Sequence, residues 1–285
     1  MAAELGAGKV YAIEGDPYVA ASARQTIKKE GWADIIEVIE GFSNEINLPE
    51  KADFIVAEII GSIATEEGAY ATIRDAHSRF IKQPDDPNSW IPTRIQTYAA
   101  PASYSLHTLF KPPEFDWARL KEPVRFNCRD PGLQLLADPV LVEDISFSKA
   151  LTKSQEDAIA APKQLSFRVD ENRIQKNKQP LYDEFRRGKS SPQDSEELAE
   201  AASHSLSGIA FWPRLILDGD EKIIVDSREY PNGEPRRSHW QTVLPIAAAR
   251  PIPVVGGEKV DVTINFDIST SISKSSKYQL NGSVS

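Results

Sequence analysis

Glu58 and Glu67 bracket the stretch Glu58-Ile-Ile-Gly-Ser-Ile-Ala-Thr-Glu-Glu67. Two fixed carboxylates can grip a guanidinium. Arginine's side chain is a planar fork of donors that keeps its charge near neutral pH, so such a pair can hold it bidentately and draw positive charge toward one nitrogen. A poor nucleophile could in this way be aimed at a methyl donor. The same acids have a plainer use: Glu66 and Glu67 precede Gly68-Ala-Tyr-Ala-Thr-Ile-Arg74, and glutamates at a helix start meet the positive end of its dipole.

The elements around the pair decide between these readings. Phe54-Ile-Val56 is a short apolar run of the kind buried in a parallel sheet, and Gly61 breaks it. The glutamates then leave the C-terminal end of a strand, where open α/β sheets bind their ligands. Upstream, Lys9–Glu14 reads as a strand, Pro17–Glu30 as a helix and Ile35–Glu40 as a second strand. Downstream, Glu66–Phe80 reads as a helix with Tyr70, Ile73, Ala76, His77 and Phe80 on one face. Strands alternating with helices predict a parallel, helix-covered sheet over residues 1–91.

After the turn-rich segment Ile81-Lys-Gln-Pro-Asp-Asp-Pro-Asn-Ser89 the pattern changes to β. Strands are predicted over Arg94–Ala100, Pro139–Ile145, Gln164–Val169, Gly208–Leu217, Lys222–Asp226, Trp240–Ala248 and Lys259–Ile268. Alternation is clearest in Val260-Asp-Val-Thr-Ile-Asn-Phe-Asp-Ile268. Residues 92–285 therefore read as an antiparallel barrel or sandwich. Lys111–Gly132, with Pro112, Pro113, Trp117 and Phe126, reads as an extended arm that packs on another subunit. The polar stretch Asn172–Ser205 reads as a solvated surface insertion with a short helix over Ser195–Ala202.

Composition narrows the class. The 285 residues are 40% hydrophobic and 26% charged, which is globular composition, and no run approaches the ~18 apolar residues of a membrane span. A net charge of −9 argues against nucleic acid held on a basic surface and is compatible with a basic polypeptide partner. The single cysteine, Cys128, excludes an intrachain disulfide. With no basic, apolar leader in Met-Ala-Ala-Glu-Leu-Gly6, the expected location is cytoplasmic or nuclear.

Several segments in one order carry a resemblance. Lys9-Val-Tyr-Ala-Ile-Glu14 ends a strand on an acid, the position from which Rossmann-like proteins hold ribose hydroxyls. Together with Val38-Ile-Glu-Gly-Phe-Ser43, Pro49-Glu-Lys-Ala-Asp-Phe-Ile-Val-Ala-Glu58, the acidic loop and Ser238-His-Trp-Gln-Thr242, it resembles the protein arginine methyltransferases. The resemblance is dense from Ala2 to Pro101 and thinner beyond. It implies a Rossmann-like methyltransferase domain followed by an antiparallel β-barrel domain, in a family that dimerises through an arm on the barrel. It implies S-adenosyl-L-methionine as methyl donor and an arginine-containing protein, of histone or Arg/Gly-rich type, as acceptor. Carried onto this chain, Glu14 would hold the donor's ribose and Phe42 and Ser43 would lie by its adenine. Glu58 and Glu67 would clamp the guanidinium, while His239 and Trp240 would close the site from the barrel side. Pro92 falls where the family crosses between domains, often through a cis peptide.

The chain also departs from that pattern. Gly6-Ala-Gly8 precedes the strand ending in Glu14, so it lacks the strand, turn and helix context of the family's glycine-rich loop. The expectation is a methyltransferase domain incomplete at its N-terminus that binds the donor weakly or not at all by itself. Gly61-Ser62 resembles the symmetric-dimethylating branch and Ser238-His-Trp240 the asymmetric one, so the product stays open. A non-catalytic interaction protein and a methyltransferase for another substrate class are the competing readings. Of the four histidines, His77 lies on the predicted apolar helix face and His204 in the polar insertion, and no spacing suggests a metal.

Overall fold

The computed structural model describes residues 1–149, 157, 161–229, 238–267 and 277–285. Its first element after a turn at Met1–Ala7 is β1 (Val10–Glu14), followed by α1 (Pro17–Lys29) and β2 (Ile36–Glu40). The two strands pair in parallel, from Val10 opposite Ile36 to Glu14 opposite Glu40. Asp16 starts α1 by accepting the Tyr18 and Val19 amides, and Pro17 supplies a preset first helical residue. Gly6, at φ +90°, ends the N-terminal turn in the left-handed region, so Gly6 and Gly8 close a turn before β1 rather than follow a strand.

β3 (Ile55–Val56) is shorter than the apolar run predicted. It pairs in parallel with β4 (Trp90–Ile91) and, among the described residues, not with β1 or β2. The expected single buried sheet is thus two separate parallel pairs. Phe54 is 65% and Val56 74% exposed, against the expectation of a strand buried on both faces, because only one face of so narrow a pair meets a helix. That helix is α2 (Ala69–Arg79), whose Tyr70, Ile73 and Ala76 gather Ile13, Ile55, Trp90 and Phe80 into one core. The Ile91–Pro92 bond is cis.

The remaining strands are β5 (Arg94–Tyr104), β6 (Val124–Asn127), β7 (Leu133–Leu135), β8 (Val140–Ser146), β9 (Lys163–Arg168), β10 (Ser205–Leu206), β11 (Gly208–Ile216), β12 (Ile224–Asp226), β13 (Gln241–Leu244), β14 (Ile252–Pro253), β15 (Lys259–Asp267) and β16 (Lys277–Val284). Seven of them form an antiparallel sheet in the order β6-β13-β11-β5-β7, with β12 on β11 and β8 on β5. A second sheet runs β16-β15-β9, and the two share a core of Ala99, Val142, Phe167, Phe211, Val243 and Val262. Inward Val260, Val262 and Ile264 follow the predicted alternation, and Ile268 of that prediction lies outside the described residues.

Within residues 111–132, β6 pairs with β13 and Trp117 is buried against Tyr104 and His107, while Phe115 and Leu120 stay exposed. One segment differs from expectation. The polar stretch after Val169 is a helical hairpin, Glu171–Arg187 packed on Pro192–Ser203, rather than a solvated loop. Ile174, Asn177, Leu181 and Phe185 fall on one face of the first helix and are buried, which is enough apolar surface to dock it. Among the described residues no helix is long and apolar enough to cross a membrane.

Candidate functional site

The acidic loop is a wedge between two cores. Ile60 and Ala64 are buried with Tyr70, Ile73 and Trp90 of the α2 core, whereas Ile63 enters the barrel core beside Ala99 and Phe211. Burying an isoleucine side chain stabilises by ~1.5–3 kcal/mol, so the two isoleucines hold the loop from opposite sides. Gly61 lies between them because nothing larger fits: a Cβ there would come within 2.9 Å of the Glu66 Cβ and 3.0 Å of the Ile63 carbonyl oxygen. Gly68, at φ +79°, turns the loop into α2.

Polar contacts from the barrel then fix the loop residue by residue. The Trp240 Nε1–H donates to the Ile60 carbonyl at 3.1 Å, and the Gln241 amide to the Ser62 hydroxyl at 3.3 Å. The Ala64 amide donates to Thr97 Oγ1 at 2.9 Å, and Thr65 Oγ1 to Glu143 Oε1 at 2.5 Å. Arg125 of β6 takes Glu66 bidentately, with Nη1 3.1 Å from Oε2 and Nη2 on Oε1. Within the run Glu58, Glu66 and Glu67, the middle acid is therefore neutralised internally.

Glu58 and Glu67 stand at the two ends of this wedge, both exposed. His239 Nε2 is 4.0 Å from Glu58 Oε2, and its ring meets Trp240 edge-on with centroids 5.4 Å apart. The structure thus brings Glu58 together with His239 and Trp240, from which it is far in sequence. Glu67 sits at the loop's other end, one residue before Gly68.

Glu14, Phe42 and Ser43 form a second group at the C-terminal ends of β1 and β2. The Gly41 amide donates to the Glu14 carbonyl at 2.9 Å, and Glu14 Oε1 accepts the Asp16 amide at 2.8 Å. The Phe42 ring lies over Gly15, where a Cβ would meet it at 3.0 Å, so the glycine permits this close approach. Arg79 at the end of α2 holds the following turn: its Nη2 donates to the Ser43 carbonyl at 2.5 Å and its Nη1 to the Ile46 carbonyl at 2.6 Å. One helix therefore serves both groups, with its first turn after Glu67 and its last under Ser43.

Sequence reasoning missed Arg79, Arg125, Thr97 and Glu143. Arg79 had a signal, Asp75 four residues before it, to which it is paired at 2.5 Å. Glu143 had none, because a register shift between Thr97 and Tyr98 breaks the alternation of β8 and turns Glu143 inward next to inward Val142.

Comparison with known proteins bears on what this arrangement is. Residues 3–84 match the family model described as PRMT5 arginine-N-methyltransferase. The protein arginine N-methyltransferase PRMT10 of Arabidopsis thaliana is 39% identical over 80 residues, 28% of this chain and 21% of that protein. Over residues 3–84 this chain is similar to the protein arginine methyltransferases. Protein arginine N-methyltransferase 5 of Oryza sativa subsp. indica is 34% identical over 104 residues, 36% of this chain and 15% of that protein. In sequence, then, the chain spans only about a fifth or less of the length of these curated relatives. In fold the likeness is wider. The open-conformation structure of Arabidopsis thaliana protein arginine methyltransferase 10 superposes with a TM-score of 0.66 at 18% identity, covering 99% of this chain and 84% of that one. The Trypanosoma brucei PRMT1 enzyme-prozyme heterotetrameric complex with AdoHcy gives 0.61 at 17% identity, covering 99% and 83%. The fold of this chain is that of the arginine methyltransferases.

Proposed function

We propose that the chain is a protein arginine N-methyltransferase, with residues 1–91 as the methyl-donor half and 92–285 as the barrel that presents the acceptor. The observation that carries this is the acidic loop itself, locked to the barrel at Ile60, Ser62, Ala64, Thr65 and Glu66 while Glu58 and Glu67 stay exposed. A loop held at five points presents its two exposed carboxylates in a fixed stance, as orientation of a guanidinium requires.

The residues around Glu14 fit S-adenosylmethionine. An acceptor carboxylate at a strand end suits a ribose diol, and the exposed Phe42 face over Gly15 suits a purine. Bound there, that molecule would supply an electrophilic methyl on a sulfonium. Glu58 and Glu67 would orient the acceptor guanidinium and concentrate its charge away from the attacking nitrogen. His239 would share the proton load of Glu58, and Trp240 would wall the site on the barrel side. Positioning of this kind can lower a barrier by roughly 7–11 kcal/mol. Neutral amide side chains gain nothing from two carboxylates, so arginine is the preferred acceptor.

The Trypanosoma brucei neighbour is an oligomeric complex, and for this chain we propose a homodimer, which sedimentation would read directly. The activity is tested by mass spectrometry of an arginine- and glycine-rich peptide incubated with the chain and S-adenosylmethionine. A mass gain of one or two methyl groups on arginine, lost in Glu67→Gln, is expected. Methylation that survives both Glu58→Gln and Glu67→Gln, or that appears only on a non-guanidinium acceptor, would overturn the assignment.

A further inference from the structure

Glu143 is a carboxylate in the barrel core that the proposed chemistry does not use. It is 1% exposed, on β8, opposite Thr97 of β5. A buried carboxylate costs a fold more than an apolar side chain of similar size would, so its presence calls for a reason. Each of its bonds leads to the acidic loop. Oε1 accepts the Thr65 hydroxyl at 2.5 Å, and Oε2 accepts the Thr97 hydroxyl at 2.5 Å. Thr97 Oγ1 in turn accepts the Ala64 amide at 2.9 Å. Because Thr65 spends its one proton on the carboxylate, the Tyr278 hydroxyl, 2.8 Å away, is the donor to Thr65 Oγ1. Lys163 stands near and donates to the Val142 carbonyl. Burial pushes the Glu143 pKa up, opposed by the two threonine hydroxyls and the Lys163 charge, and burial lowers that of Lys163.

We propose that Glu143 is a positioning residue which, through Thr65 and Thr97, sets the stance of the acidic loop and so of Glu67, two residues beyond Thr65. This rests on the arginine-binding reading of that loop. Thr65 and Ala64 are the last loop residues before the acids, so a carboxylate clamping both transmits barrel geometry straight to the site. Glu143 touches no substrate; it acts through the loop.

Two substitutions in the whole chain separate positioning from packing. Glu143→Leu keeps apolar volume and removes both acceptors, while Glu143→Gln keeps the shape, accepting from one threonine and donating to the other. The readouts are the thermal midpoint, hydrogen exchange at the Ala64 amide, and calorimetric affinity for an arginine-containing peptide, with Glu67→Gln as reference. Glu143→Leu, which strands both threonine hydroxyls and the Lys163 charge, is expected to lower the midpoint, and to weaken peptide binding and speed Ala64 exchange by about tenfold each while exchange elsewhere in the barrel stays near wild type. Glu143→Gln should stay within about threefold of wild type in both. Should the leucine variant misfold, Thr65→Val removes the loop-side hydroxyl without touching the barrel and is expected to give the same losses. The proposal is overturned if peptide affinity and Ala64 exchange stay at wild-type values in Glu143→Leu and Thr65→Val, or if any loss merely follows a fall in midpoint with faster exchange throughout the barrel. If the wild-type chain binds no peptide, the arginine site falls, and the exchange and midpoint data alone decide the role of Glu143.

Discussion

Trp240→Phe should loosen the acidic loop from the barrel while leaving the rest of the fold in place. The indole N–H is the donor to the Ile60 carbonyl, and Ile60 is 3% exposed, so removing it strands an acceptor away from water. That costs about 1–3 kcal/mol. The smaller ring also gives up contacts in the α2 core and in the Tyr104–Phe126 cluster, both of which the indole joins. A loss near the middle of that range, ~2 kcal/mol, corresponds to opening of the loop roughly 30-fold more often. Hydrogen exchange reads this at two amides whose hydrogen bonds form only while the loop is docked: Ala64, bonded to Thr97 Oγ1, and Gln241, bonded to Ser62 Oγ. The amides of the helical hairpin over residues 171–203, whose own core shares no residue with either cluster, serve as the internal control and should not change. Exchange at Ala64 and Gln241 within threefold of wild type would refute the claim that Trp240 pins the loop.

Gly61→Ala should destabilise the loop by about 1–3 kcal/mol, since its Cβ meets Glu66 and the Ile63 carbonyl at about 3 Å; denaturant unfolding checks it, and an unchanged midpoint contradicts it. Gly15→Ala is expected to leave stability within ~0.5 kcal/mol, because the Phe42 ring can swing away, yet to weaken S-adenosylmethionine binding as that ring leaves its place. Burial lowers the His107 pKa from 6.5 to about 4, partly opposed by the backbone of Ala248 and Ala249. The unfolded chain therefore takes up this proton first, so stability is intact above the unfolded value and lost as pH falls toward the folded one. Between those limits wild type should lose about 3 kcal/mol more than His107→Phe, measured by unfolding at both ends of the window. Equal losses would contradict it.

Much of this was legible in the residues. The helix read over Pro17–Glu30 is α1, and the alternation Val260, Val262, Ile264 announces β15; the resemblance placed His239 and Trp240 at the acidic loop, where His239 lies near Glu58 and Trp240 bonds Ile60. What stayed hidden has physical causes. The hairpin helix Glu171–Arg187 carries Pro180 and a thin apolar stripe, so polarity masked it, although Asp170 caps its start by accepting the Asn172 amide and Ser191 caps the next helix by accepting the Asp194 amide. Phe54 and Val56 look like core in sequence, and their exposure depends on how many strands flank β3, which local pattern does not encode. The inward turn of Glu143 depends on a register shift between two strands, a tertiary property. The pairing of Arg125 with Glu66 rather than Glu67 likewise depends on where β6 meets the loop.

On the proposed function, a loop locked to the barrel presents Glu58 and Glu67 to a guanidinium. Calorimetry with a pair of peptides identical except for arginine or citrulline tests it most directly, since citrulline keeps the shape and removes the charge. The account predicts binding of the arginine peptide at least about tenfold tighter, a margin erased in the Glu58→Gln, Glu67→Gln double variant. Equal affinity for the two peptides in wild type would contradict it.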